Sequence, residues 1–137
     1  MIDTPVSTLD IAPTALAAAG CKPSDKLDGF NLLPILQDST AKLPPRILHW
    51  RFWNQIACRE GRWKYLSVKN QKEFLFDLSS KEHEKINLAE KHPEILKKLR
   101  LASHAWAAEL RPAGPPQNGN YRQEKFWYRQ YFGLELN

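Results

Sequence analysis

Cysteine is scarce and long apolar runs are missing from this chain of 137 residues, and each shortage excludes a class of protein. Two cysteines, Cys21 and Cys58, allow one disulfide and no disulfide framework. Neither belongs to a Cys-x-x-Cys pair or to zinc-finger spacing, so no structural zinc site is expected. No apolar stretch approaches the roughly 18 residues of a membrane-spanning helix. The N-terminus, MIDTPVSTLDIAPTALAAAG, lacks a basic leading region, and Asp3 and Asp10 interrupt its apolar character, so it does not read as a signal peptide. Internal repeats are also lacking. What is present suits a globular protein: 42% of residues are hydrophobic, and a compact domain of this size buries roughly two-thirds of its unfolded surface. The net charge of +5 favours an anionic partner, a class that spans nucleic acid, sulfated sugar and acidic lipid.

Hydrophobic spacing divides the chain into a helical start, a sheet and a later helix. Residues 7–19 are predicted to be helical, because Leu9, Ala12, Leu16 and Ala19 recur at helical spacing. Ser7 and Asp10 form a capping-box pattern at its start, with Asp where Glu or Gln is usual. Pro13 either kinks this helix or marks the first turn of a later start. Gly20 suits the left-handed residue that ends a helix, and Pro23 follows where the helix has stopped. Residues 21–45 read as an irregular connection with one helical turn around Pro34, where Leu32, Leu33, Ile35 and Leu36 offer packing surface. Asp28-Gly29 marks a turn, and QDSTAKLPP a polar linker.

From Arg46 the period changes to two. In RILHWRFW, residues Leu48, Trp50 and Phe52 alternate against Ile47, His49 and Arg51. NQIACR, RWKYLSV and EFLFDL continue as strands, separated by turns at Glu60-Gly61 and KNQK, so a four-stranded antiparallel sheet is predicted. Such a sheet needs a cover on one face. A helix over 93–110 supplies it: Pro93 fits the first helical position, Glu94 complements the positive end, and Ile95, Leu99, Ala102 and Trp106 form a stripe. Lys97, Lys98 and Arg100 read as solvated. Beyond it, PAGPPQNGN is a turn-rich linker, and YRQEKFWYRQYFG interleaves aromatics with Arg122, Lys125 and Arg129 without a secondary-structure assignment.

Three segments in this order carry a family resemblance: VSTLDIAPTALAAAG ahead of LDGFNLLPIL, then IACREGRWKYL, then FLFDLSSKEHEKINLAEKHPEIL. Together they resemble, over about residues 5–110, the C-terminal end of a type I sulfatase of the alkaline-phosphatase superfamily. One departure is Lys81-Glu82-His83-Glu84, where the family shows Asp-Pro before the Glu, and residues 111–137 match only loosely. The expected fold is α+β: a small four-stranded antiparallel sheet covered by a C-terminal helix, preceded by an N-terminal helix and loop. The resemblance makes residues 1–45 the tail end of a larger α/β sulfatase domain. It makes 46–111 the sheet-and-helix subdomain and 112–137 a Pro/Gly linker with an aromatic, basic tail. For a full-length member it implies calcium, a formylglycine nucleophile, and a secreted, periplasmic or lysosomal location. The family's formylglycine motif, calcium-binding carboxylates, and catalytic Lys and His lie upstream of the matched region, so no cofactor is expected in this chain and the chain alone is expected to be inactive. Its implied partners are the missing N-terminal sulfatase domain, on the same polypeptide or a separate one, and a sulfated substrate.

The stretch CKPSD tests whether Cys21 is such a nucleophile, since the sulfatase signature begins Cys-x-Pro-Ser-Arg. Asp25 stands where that Arg is required, and Gly29 arrives one residue early. Cys21 also follows a helix C-terminus, where the macrodipole disfavours an anionic thiolate. It is expected to be a loop residue. The remaining substrate-binding candidates are His49 and Arg51, which would hydrogen-bond a sugar or its sulfate from a cleft, and Arg59 and Lys64, which would meet an anion near the Glu60-Gly61 turn. Their alternatives are a sheet-edge pair and a solvated hairpin with cross-strand charges. Trp50, Trp63 and Trp106 suit either a sugar-stacking platform or the sheet–helix core, the core being the expectation. His83, His92 and His104 are too dispersed for a metal set, and His92 fits the start of the helix. Asp77 and Asn87 are expected to hold turns. A second reading remains, a stand-alone binding module for single-stranded RNA or a sulfated polysaccharide. The lack of an RRM sequence argues against nucleic acid.

Overall fold

Residues 4–38, 40–52, 55–68, 72–112, 125, 126, 128–130 and 133 are described by a computed structural model. Ser7 opens the first ordered turn. Its hydroxyl accepts from the Leu9 amide, and the Asp10 carboxylate accepts from the Ser7 amide at 2.7 Å, which completes the capping box. The 3-10 turn Thr8–Asp10 runs into helix α1, Ile11–Ala18. Pro13 therefore lies in the first turn of α1, where its missing amide is tolerated, so the later start is adopted and not a kink. Gly20, at φ +74°, ends the helix. The Cys21 amide reaches the Leu16 carbonyl at 2.9 Å and the Gly20 amide reaches Ala17 at 3.1 Å, the paired bonds of a left-handed helix terminus. Helix α2, Leu33–Gln37, carries Pro34 in its first turn and buries Ile35. Leu36, expected to pack, is 62% exposed, because adjacent helical residues point about 100° apart and Ile35 takes the inward direction.

Strands β1 (Ile47–Phe52), β2 (Gln55–Glu60), β3 (Trp63–Val68) and β4 (Lys72–Asp77) form one antiparallel sheet in the order β1-β2-β3-β4. Trp53, Asn54, residues 69–71 of the KNQK turn, the linker after Pro112 and Arg122 lie outside the described residues. The register aligns His49, Cys58, Tyr65 and Leu75 across one face, and Leu48, Arg59, Lys64 and Phe76 across the other. Asn87 closes the β4 edge. Its Oδ1 accepts from the amides of Leu75 and Ala89 at 3.0 and 3.1 Å, and its Nδ2 donates to the Glu73 carbonyl at 3.2 Å. Asp77 holds the following turn by accepting from the Ser79 amide at 3.0 Å. Both residues take the turn-holding roles expected of them.

Helix α3, Pro93–Ala108, covers the face that carries Cys58, Tyr65 and Leu75. Leu99 is fully buried there, with Ile95, Leu96, Trp63 and Ile47 packed around it. His92 precedes Pro93 at the helix start without a side-chain capping bond, and its ring instead meets Trp63 at 4.9 Å. The opposite face is covered in part. Leu66, Val68 and Phe76 surround Tyr128, which is 1% exposed, so the tail that sequence left unassigned supplies a second lid to the sheet. Residues 125–126 and 128–130 of that tail are helical. Two expectations need correction. Trp50 is absent from the sheet–helix core and stands half exposed on the face away from α3, since β1 puts Leu48, Trp50 and Phe52 together but the helix chose the other side. Arg100 is not a solvated cation: its Nε and Nη2 grip Glu73 of β4 at 2.7 and 2.6 Å. Lys98 is solvated as expected, 60% exposed, while pairing with Glu60 of β2 at 2.6 Å.

Candidate functional site

An open cleft of about 510 Å³ lies between the N-terminal loop, the start of β1 and the C-terminal end of α3. Its walls include Ser7, Phe30, Arg46, His49, Trp50 and Trp106. Strand alternation aims His49 toward α3, where its ring stacks on Trp106 at 4.9 Å and 12°. The Nδ1 of His49 is buried and has no hydrogen-bond partner. Burial holds the imidazole below its ordinary pKa, so the ring is a neutral group at neutral pH.

Arg46 forms the floor beside it. Its Nη1 and Nη2 donate to the two oxygens of Asp10 at 2.6 Å each, Nη2 also donates to the Pro5 carbonyl at 3.0 Å, and the guanidinium lies 4.7 Å from the centre of the Phe30 ring. The amides of Ser7 and Phe30 donate to the same carboxylate at 2.7 and 2.8 Å. These bonds, the Arg46 pair first, hold Asp10 well below the usual carboxylate range although burial pulls the other way. One carboxylate thus joins the 3-10 turn, the Phe30 loop and the residue preceding β1.

The substrate candidates do not converge. His49 and Arg51 share the α3 side, but the Arg51 Nη2 donates to the Arg111 carbonyl at 2.6 Å. Arg59 and Lys64 are cross-strand neighbours on the other side of the sheet. There the Arg59 Nε donates to the Gly61 carbonyl at 2.9 Å, and the Lys64 Nζ pairs with Glu84 at 2.5 Å. The Asp10–Arg46 pair and the Tyr65–Glu73–Arg100 cluster, in which the Tyr65 hydroxyl donates to Glu73 at 2.7 Å, were not legible beforehand. Partners separated by 36 and 27 positions leave no local signal.

Calcium does not fit the carboxylates that are already paired among the described residues. The oxygens of Asp10 are occupied by Arg46 and by the Ser7 and Phe30 amides, while Glu60, Glu73, Asp77 and Glu84 are paired with Lys98, Arg100, Arg62 and Lys64. No group of three or more His, Cys, Asp or Glu side chains is gathered among the described residues. Nor does Cys21 suit a formylglycine: it is exposed on the turn after α1, its thiol within 3.9 Å of the Ala19 carbonyl, and Cys58, the other cysteine, is buried under α3. Among the described residues no helix is long and apolar enough to cross a membrane.

No family profile matches the chain. It is 33% identical over 94 residues to choline-sulfatase of Rhizobium meliloti (strain 1021), covering 64% of this chain and 18% of that protein. It is 34% identical over 116 residues to arylsulfatase K of Homo sapiens, covering 73% of this chain and 22% of that one. The crystal structure of Ps i-CgsB in complex with k-i-k-neocarrahexaose superposes with a TM-score of 0.66 and 25% identity, over 93% of this chain and 29% of that chain. The chain therefore spans only about a fifth of the length of these curated relatives.

Proposed function

We propose that this chain, a distant homologue of the C-terminal portions of sulfatases over most of its length, serves as the closing subdomain of a sulfate-ester hydrolase and hydrolyses nothing by itself. The observation that carries this reading is the shape of the match, which takes in most of this chain and about a fifth of each relative. The reactive parts would belong to the portion that the relatives carry and this chain does not. In this reading residues 1–45 end the larger domain, 46–111 form the subdomain, and 112–137 are a linker and tail whose Tyr128 packs on the sheet.

Of the four candidate side chains, His49 is assigned to a sulfated substrate because it lines the cleft, and Arg51 goes with it only as its neighbour on the same face of β1. One sulfate group cannot touch all four, since the sheet lies between that pair and Arg59 with Lys64. A neutral His49 supplies hydrogen bonding without adding charge. The polymer-binding alternative needs an open sheet face, and on the face that α3 leaves free Tyr128 already covers the β3–β4 part.

The test is an assay of the purified chain on an aromatic sulfate ester, paired with the reading frame upstream of the Met1 codon. The expected results are no turnover above buffer and a Cys- or Ser-x-Pro-Ser-Arg segment with acidic residues, in that frame or in a separate gene whose product restores turnover. Turnover by the purified chain, or the lack of any such segment, overturns the proposal.

A further inference from the structure

Helix α1 is turned inside out. Its inward side carries the polar groups: Asp10 at its start is fully buried, and the Thr14 hydroxyl donates to the Asp10 carbonyl at 2.6 Å while accepting from the Leu32 amide at 3.0 Å. Its outward side is apolar. Leu9 is 57% exposed, Ile11 65% and Leu16 37%, with Ala12, Ala15 and Ala19 exposed among them. Val6, just before the 3-10 turn, is 51% exposed. No charged residue occurs between Ile11 and Gly20. A helix with hydrogen-bonded polar groups inside and an uncharged apolar face outside has that face covered by another body.

Three bodies could cover it: lipid, a second copy, or the rest of the fold. An interfacial helix carries cations along its polar side, and α1 has none. The extent of the structural match favours the last. It covers 93% of this chain and so reaches into the N-terminal segment, yet it takes in only 29% of the matched chain, so most of that protein has no counterpart in this one. We infer that the outer face of α1, formed by Val6, Leu9, Ile11 and Leu16, is the docking surface for the portion of the sulfatase fold that precedes the matched region. This rests on the reading above that the chain closes such a fold. The Asp10–Arg46 pair fixes how that face is presented, because it ties the start of α1 to the residue from which β1 begins.

A photo-crosslinking benzophenone residue placed at Leu16 of the full chain, in its own cells, tests the surface directly. A second probe goes at Trp50, on the sheet, and adducts are identified by mass spectrometry. The expected outcome is an adduct from Leu16 to a sulfatase-homologous segment, whether in the same polypeptide or a separate one. Leu9→Glu with Ile11→Glu should abolish association with that segment and leave the melting temperature of the purified chain unchanged, since both side chains are more than half exposed. Adducts from Leu16 to a second copy or to lipid, or none at all, overturn the proposal. If Trp50 joins a sulfatase-homologous segment while Leu16 does not, the docking face is wrong and the closing-subdomain reading survives. If neither probe does, both fall.

Discussion

Asp10 is the carboxylate that the described residues bury completely, and it stays charged because Arg46 and the Ser7 and Phe30 amides take up its oxygens. Removing one partner leaves a buried charge uncompensated. Arg46→Ala should therefore cost about 3–5 kcal/mol in urea unfolding, and the double variant Asp10→Asn, Arg46→Gln should cost less than that single change. The sign of the pH dependence follows from the depressed carboxyl. Its contribution is fully present above the unfolded value, near pH 3.9, declines progressively below it, and is gone once pH has fallen through the much lower folded one. Acid unfolding followed by circular dichroism should accordingly begin to depend on Asp10 as pH drops below about 3.9, and Asp10→Asn should flatten that dependence. The two cysteines make a separate prediction. Cys21 is exposed, whereas Cys58 is fully buried and its thiol is pushed up by that burial. A maleimide should label Cys21 alone in the native chain and both thiols in denaturant, read by intact mass.

At the scale of elements, the N-terminal segment packs where backbone meets backbone. A Cβ at Gly29 would stand 2.0 Å from the Leu9 carbonyl oxygen, so the loop before α2 touches the first turn through a position that only glycine fits. Gly29→Ala should destabilise the chain by about 3 kcal/mol, measured by thermal melting, because neither backbone can give way easily. The sheet is managed differently at its two edges. Asn87 and the Leu88 amide, which reaches the Leu75 carbonyl at 2.7 Å, cap β4 and hide its ladder. Helix α3 is also tied to the sheet by the partly exposed pairs Lys98–Glu60 and Arg100–Glu73, a minor addition to the packing of the Leu99 stripe.

For the whole molecule, the sheet is the middle layer of three. α3 lies on one face, and Tyr128 packs on the β3–β4 part of the other from a segment that follows a long linker in sequence. Tyr128→Ala should cost about 3–5 kcal/mol, the range for removing a large buried ring, and guanidinium unfolding monitored by circular dichroism measures it. A change below about 0.5 kcal/mol would mean that the tail adds nothing to the core.

Local rules sufficed for much of this. The capping box at Ser7, the end of α1 at Gly20, the four strands from Arg46 to Asp77 and the helix beginning at Pro93 are all set by residues within a few positions of one another. The family resemblance was likewise legible, because it rests on short segments in a fixed order. Four matters waited for the tertiary structure: the side of β1 that faces α3, the role of Tyr128, the Asp10–Arg46 pair, and the separation of His49 and Arg51 from Arg59 and Lys64. A period of two states which side chains share a face, but not which face is covered. Ion pairs between distant residues are chosen only when the chain has brought them into a place without water, where each charge must find a partner.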